Sequence, residues 1–97
     1  MRYEITSTEV FDKWLKKLRD RQAVLAIANR ITRIVAGNLG DIKPVSGNVS
    51  EMRIFVGKGY RIYFCMKGNE RLVLLCGGNK DTQSEDIANA KSLAKEI

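Results

Sequence analysis

The sequence RIFVGKGYRIYF, residues 53–64, shows which surfaces of this protein must be buried. It predicts a β-hairpin, because two short strands flank a three-residue link, Gly57-Lys58-Gly59, whose glycines suit a tight turn. If Val56 lies opposite Tyr60, side chains alternate between two faces. The face that needs cover is apolar and holds Met52, Ile54, Val56, Tyr60, Ile62 and Phe64. The other face mixes charge with aromatic rings and holds Glu51, Arg53, Phe55, Arg61 and Tyr63.

The residues before the hairpin predict a strand and two helices that could cover the apolar face. RYEITS, residues 2–7, alternates as a strand does. Thr8 then suits the N-cap of a helix, and Asp20 the N-cap of a second helix that ends near Gly37. Both helices carry apolar residues at the spacing of one helical face, namely Phe11, Trp14, Leu15 and Leu18, and Val24, Ile27, Ala28, Ile31, Ile34 and Val35. We interpret Trp14 as a core residue.

The remaining segments complete a small α+β sandwich. Residues 37–50 are rich in Gly, Asn and Ser and predict a loop, whereas the apolar run 71–78 predicts a strand inside the sheet. After a polar connector over 79–83, Thr82 or Ser84 caps a last, weakly apolar helix, which we expect to be loosely attached. The predicted sheet is mainly antiparallel and four-stranded, with two N-terminal helices on one face and a short C-terminal helix. The mixed face of the hairpin would stay open to a ligand.

Composition limits the function classes. A length of 97 residues predicts one domain, residues 1–97, and the formal net charge of +6 favours a polyanion or an acidic protein as partner. The absence of a bilayer-length apolar run and of a signal peptide predicts a cytoplasmic protein without a membrane partner. Cys65 and Cys76 would not be cross-strand partners, so we expect two core thiols. With two cysteines and no histidine, no metal site is predicted, and no cofactor is expected.

Basic residues are the candidates for chemistry, because a phosphate-binding glycine loop and a nucleophile elbow are both missing. The candidates converge in the predicted fold and are Lys43, Arg53, Lys58, Arg61 and Lys80. Arginine suits phosphate binding, and Tyr63 or Phe55 could stack on a base while the two arginines hold an RNA backbone. An equally weighted alternative is a solvated strand face on which Arg53 and Arg61 cover aromatic surface and pair with Glu51.

Five motifs carry a resemblance that spans almost the entire chain: WLKKLRD (14–20), GNLGDIKPV (37–45), EMRI (51–54), GKGYRIYF (57–64) and GGNKDTQ (77–83). Together they resemble the RelE/ParE superfamily of type II toxin–antitoxin toxins, most closely the HigB-like addiction module killer proteins related to the phage Gp49 family. The resemblance implies a RelE-like fold and a ribosome-dependent mRNA endoribonuclease that inhibits translation and growth. It also implies a cognate helix-turn-helix antitoxin, bound in a hetero-oligomer.

The resemblance implies metal-independent attack of the RNA 2′-hydroxyl on the adjacent phosphate. By motif, Arg53, Arg61 and Lys80 match basic catalytic positions of the family. The expected RNA-binding residues are Lys43, Lys58, Tyr63 and Gln83. Glu51 is a candidate general base, although a carboxylate beside two arginines could equally be their structural counter-ion. The chain lacks the histidine that several members of the superfamily use for proton transfer.

Two further questions stay open at the level of sequence. The ParE branch shares the fold and inhibits DNA gyrase without catalysis, and the missing histidine fits a protein that transfers no proton. The antitoxin could lie over the basic face, where an acidic segment would block RNA, or it could bind the helices and leave that face open.

Overall fold

The computed structural model of the protein describes residues 2–97; Met1, part of the domain expected over residues 1–97, lies outside the described residues. The elements in chain order are β1 Glu4–Ser7, α1 Glu9–Lys17, α2 Arg21–Val35, β2 Ile42–Ser46, β3 Val49–Ile54, β4 Tyr60–Lys67, β5 Arg71–Asn79, a 3₁₀ turn Lys80–Thr82 and α3 Gln83–Lys95. The strands form one sheet in the order β1-β5-β4-β3-β2. β1 runs parallel to β5, and the other neighbours are antiparallel. The predicted α+β class is therefore confirmed.

The first two helices begin where the sequence predicts. Thr8 Oγ1 accepts a hydrogen bond from the backbone N of Phe11 at 3.1 Å, and Asp20 Oδ1 accepts one from Ala23 N at 3.1 Å. Both side chains satisfy N–H groups that have no partner within their helix. The helices cover the apolar face of the hairpin, and the buried core there is Phe11, Ala23, Ile27, Ile34, Met52, Ile54, Tyr60, Ile62, Phe64, Leu72 and Leu74. No helix within residues 2–97 is long and apolar enough to cross a bilayer.

The hairpin register differs from the prediction by two residues. Ile54 lies opposite Tyr60, and Arg53 lies opposite Arg61, so the link spans the five residues 55–59 instead of three. Hydrogen bonds from Val56 N to Ile54 O and from Gly59 N to Val56 O, each 3.0 Å, close the longer turn. Because a shift of two preserves side-chain alternation, the predicted faces are correct although the pairs are not.

The next hairpin is also shifted, because the β4 and β5 register changes between Tyr63 and Phe64. Cys65 lies opposite Val73, one residue from Leu72, which the sequence predicts as its partner, and Cys76 lies opposite Tyr63, two residues from its predicted partner Arg61. Both cysteines are buried and free, as expected.

The loop predicted over residues 37–50 contains a strand. β2 pairs with β3 at the edge of the sheet, which makes the sheet five-stranded instead of four-stranded. Pro44 is compatible with this strand because an edge strand leaves one row of backbone groups unpaired. The sequence did not reveal this strand because residues 37–50 are rich in turn-forming residues. The strand forms through its pairing with β3, which is a tertiary contact.

The C-terminal helix α3 covers the second face of the sheet, and the sequence did not predict this packing. Small residues on the helix, Ala90 and Ala94, are buried against the sheet with Val49, Tyr63, Cys65, Val73, Leu75 and Cys76. Weak apolarity therefore reflects small side chains that allow close packing, and the expectation of a loosely attached helix is wrong. Glu51 and Tyr63, expected on an open face, are buried.

The two glycines of the GGN motif let side chains approach both faces of β5. A β-carbon added at Gly77 would lie 2.5 Å from the Trp14 ring, and one at Gly78 would overlap Oδ2 of Asp86. Trp14 belongs to the helical layer and packs against the core as predicted, whereas Asp86 belongs to α3. Glycine at both positions thus allows helices to pack on opposite sides of the strand.

Candidate functional site

Arg53 and Arg61 form a directly opposed pair near the turn end of the antiparallel β3–β4 ladder. Two positive charges at opposed positions repel one another. Each is offset by a carboxylate: Arg53 Nη2 lies 3.0 Å from Asp41 Oδ1, and Arg61 Nε lies 2.9 Å from Glu51 Oε2. The arginines are therefore held side by side on one face by two separate ion pairs.

A groove of about 390 Å³ lies beside this pair, and the β3–β4 turn and the end of β5 contribute to its wall. Its lining residues include the four cations Arg53, Lys58, Arg61 and Lys80. The structure thus brings together three predicted catalytic residues and one predicted RNA-binding residue. Each of these side chains can donate several hydrogen bonds to an anion.

Lys80 lies at the groove because the 3₁₀ turn that follows β5 is hydrogen-bonded to the β3–β4 turn. The backbone N of Lys80 donates to Gly59 O at 3.1 Å. Asn79 caps this turn, with Oδ1 accepting from Asp81 N at 2.8 Å. The GGNK segment therefore sets the position of a lysine that is distant in sequence from both arginines.

Glu51 is buried at 2% exposure and is engaged at both carboxylate oxygens. Oε2 accepts from Arg61 Nε, and Oε1 accepts from Gln83 Nε2 at 3.2 Å. This arrangement favours the role of counter-ion over that of general base, because the carboxylate neither faces the groove nor has a free oxygen. Gln83, predicted to bind RNA, uses its amide to position Glu51.

Tyr63 is completely buried, at 0% exposure, so its ring cannot stack on a base from solvent. The predicted RNA-binding role is corrected on this ground. Its hydroxyl has no hydrogen-bond partner within residues 2–97. Burial and the nearby charge of Glu51 raise the pKa of the phenol far above its usual value, which also makes Tyr63 a poor general base.

Lys43 is the predicted RNA-binding residue that lies away from the groove. It is exposed on the edge strand β2, directly opposite Glu51 in the ladder with β3. It does not line the groove. A ligand that occupied the groove would have to extend across the sheet edge to reach it.

Sequence reasoning missed Arg30, which holds the segment that carries Asp41. This arginine is 5% exposed, and its guanidinium donates to three backbone carbonyls: Leu39 at 3.1 Å, Arg53 at 3.0 Å and Asp41 at 2.6 Å. Gly40 has a φ of +71°, and a β-carbon there would lie 2.7 Å from Arg30 Nε. The available signal was the helical spacing, since Arg30 occupies the buried face between Ile27 and Ile34.

The fold and the site together define a class of protein: a small, basic α+β domain with a cation-lined groove beside its central hairpin. Residues 9–96 match the family described as phage derived protein Gp49-like (DUF891), and the chain belongs to that family. The family is associated with toxin–antitoxin modules. A protein of Haemophilus influenzae strain Rd, described as an uncharacterized protein, is 45% identical over 97 residues, which cover 100% of this chain and 98% of the relative.

Proposed function

We propose that the protein is the toxin of a type II toxin–antitoxin module and cleaves mRNA on the ribosome, which stops translation and growth. One observation carries the proposal: Arg53, Lys58, Arg61 and Lys80 line a single groove. A phosphodiester backbone is a natural ligand for such a cluster, because each phosphate is a permanent anion with several acceptor oxygens. The family's association with toxin–antitoxin modules supplies the biological setting.

The proposed reaction breaks one bond and forms another at the same phosphorus. The RNA 2′-oxygen forms a bond to the adjacent phosphorus, and the bond to the 5′-oxygen of the next nucleotide breaks. The products are a 2′,3′-cyclic phosphate and a 5′-hydroxyl. Arg53 and Arg61 stabilise the charge that develops on the phosphoryl oxygens, and Lys80 donates the proton that the leaving 5′-oxygen takes up.

In this scheme a lysine accepts the proton of the 2′-hydroxyl. Glu51 and Tyr63 are buried and turned away from solvent, and arginine stays protonated at neutral pH. Lys58 lines the same groove as the arginines and is the remaining candidate beside Lys80. The proposal therefore assigns Lys58 as acceptor when in its neutral form, and Lys80 as donor.

The proposed partners follow from the same function. Cleavage on the ribosome requires the protein to act in the cytoplasm, with mRNA and the ribosome as its targets. A cognate helix-turn-helix antitoxin would neutralise it within a hetero-oligomer. An acidic antitoxin segment laid over the groove would exclude RNA by occupying the same cations.

The test is induction of the protein in a bacterial cell, followed by mapping of transcript 5′ ends. Wild-type protein should generate new, codon-linked ends that carry a 5′-hydroxyl, and Arg53→Ala or Arg61→Ala should abolish them. Arg33→Ala is the matched control, since Arg33 is an exposed arginine of α2 outside the groove. New ends that persist in both groove variants would contradict the proposal.

A second candidate, inhibition of DNA gyrase without catalysis, is favoured by one feature of the groove. No carboxylate or histidine stands among the described residues that line it. A binding inhibitor needs no general base. Trapped or broken DNA with intact transcripts after induction would favour this candidate and exclude cleavage.

A further inference from the structure

Phe55 is the aromatic residue that the fold leaves in solvent. It is 75% exposed, whereas the other aromatic residues within 2–97 are buried or half-buried. It follows directly after β3 and lines the groove together with the four cations. An aromatic ring exposed to this extent presents a large apolar surface to a ligand that enters the groove.

The turn holds Phe55 outward. Side-chain alternation continues past the end of β3, so that Val56 packs against the core while Phe55 faces the groove. Gly57 adopts a φ of +55°, and a β-carbon there would lie 2.6 Å from Oδ2 of Asp20. The close approach of Gly57 to Asp20, together with the bond from Lys80 N to Gly59 O at 3.1 Å, fixes the second half of the turn. The exposed ring is therefore presented by a braced turn.

Arg53 lies over the Phe55 ring, with its guanidinium carbon 5.6 Å from the ring centroid. This is a cation–π distance, and it leaves much of the exposed ring surface free of protein contact. The arrangement joins an accessible π-surface to a guanidinium that is itself planar and can stack. Single-stranded RNA is commonly bound in this way, by stacking unpaired bases on aromatic rings or guanidinium planes while nearby cations hold the backbone.

We propose that Phe55 and Arg53 form a subsite for one unpaired nucleobase, beside phosphates held by Arg61, Lys58 and Lys80. The subsite rests on the proposed function, because it requires RNA in the groove. It accepts any base, since every base has a π-surface. It selects single-stranded RNA over duplex RNA, because a paired base is stacked on its neighbours and cannot reach Phe55.

The experiment measures binding without cleavage. The probe is a short single-stranded RNA with 2′-O-methyl sugars, which block attack by the 2′-oxygen, and with one 2-aminopurine whose fluorescence is quenched by stacking. Wild-type protein should bind it and quench it. Phe55→Leu, which keeps an apolar side chain but removes the ring, should weaken binding about tenfold and lose the quenching. Phe55→Trp should retain both.

Three controls separate stacking from other effects. Leu25→Ala removes an exposed apolar side chain on α2, outside the groove, and should leave binding unchanged. Phe55→Leu should keep the wild-type salt dependence, because no phosphate contact is lost, whereas Lys58→Ala should make it shallower. Circular dichroism of Phe55→Leu should match that of the wild type.

The outcomes are distinct. RNA binding that depends on the groove cations but is equal in wild type and Phe55→Leu would overturn the subsite and leave the proposed function standing. No RNA binding by the wild type would overturn the subsite, whereas the proposed function stands or falls separately on the mapping of transcript ends. Unchanged RNA binding combined with lost antitoxin or gyrase binding in Phe55→Leu would show that the ring contacts a protein, and would also overturn the subsite.

Discussion

Arg53 and Arg61 lie directly opposite each other on β3 and β4, and the carboxylates that neutralise them differ in accessibility. The side chains of Arg53 and Asp41 are each 37% exposed, whereas Glu51, the partner of Arg61, is 2% exposed. A ligand phosphate can therefore replace Asp41 at the first arginine, but Glu51 is not exchangeable. Arg61 donates to Glu51 through Nε, and within residues 2–97 its terminal amino groups have no hydrogen-bond partner, so they can donate to a ligand.

Asp41→Asn should strengthen RNA binding. The substitution removes the carboxylate that competes with phosphate for Arg53, while the backbone carbonyl of residue 41 still accepts from Arg30. We expect about threefold tighter binding, the size of an exposed ion pair. The plot of log affinity against log salt concentration should be steeper by about 0.7, one more phosphate contact. Glu70→Gln, an equal change in charge at the distant β4–β5 turn, should have a smaller effect, and equal effects would argue against the exchange.

Glu51→Ala should destabilise the protein by about 2 kcal/mol, because Arg61 would lose its counter-ion in a largely buried setting. Urea unfolding measures the change. Glu51→Gln keeps an oxygen acceptor for Arg61 and should cost less. Transcript cleavage by the folded Gln variant at or near the wild-type rate would support the counter-ion role, whereas loss of cleavage without loss of stability would restore Glu51 as general base.

Tyr63→Phe should leave stability unchanged or raise it by up to about 1 kcal/mol, because the buried hydroxyl that it removes has no partner within the described residues. Thermal unfolding measures this. RNA binding should not change, since the ring is buried beneath α3. A marked loss of RNA binding in a variant of wild-type stability would contradict the buried position.

Arg30→Lys should destabilise the protein by about 2 kcal/mol although it preserves the charge. Lysine cannot reproduce the planar fork that donates to three carbonyls at once, and it leaves buried acceptors without donors. Arg33→Lys provides a matched control, since Arg33 is exposed on the same helix, and its change should stay within about 0.5 kcal/mol. Similar stabilities of the two variants in urea unfolding would contradict the bracing role of Arg30.

The thiols should be unreactive in the native protein at pH 8. Burial, together with the charge of Asp86, raises the pKa of Cys76 to about 12, and burial also raises the pKa of Cys65. A raised pKa lowers the fraction of thiolate, which is the reactive form, at every pH below it. A thiol-specific reagent should label neither residue until denaturant is added, and then label both. Rapid native labelling would contradict the burial of both side chains.

The local features of this fold were readable from particular residues. Thr8 and Asp20 cap the helices as predicted, because a cap depends on residues three positions apart in the chain. The two faces of the hairpin were also predicted correctly, since a register shift of two residues leaves each side chain on the same face of the sheet. The predicted cross-strand pairs were wrong because the register depends on the length of the turn and on the packing of Val56 against the core. The sequences of the two strands alone specify neither.

The site divides in the same way. The sequence by itself predicted Arg53, Arg61 and Lys80 as site residues, because their charge and the motifs around them can be read directly from the chain. Tertiary structure alone decided which side chains around them are accessible: α3 buries Tyr63 and Glu51, β2 forms from a loop-like segment, and Arg30 joins residues far apart in sequence. Burial is a property of what packs against a residue, and those contacts come from parts of the chain that no local pattern connects.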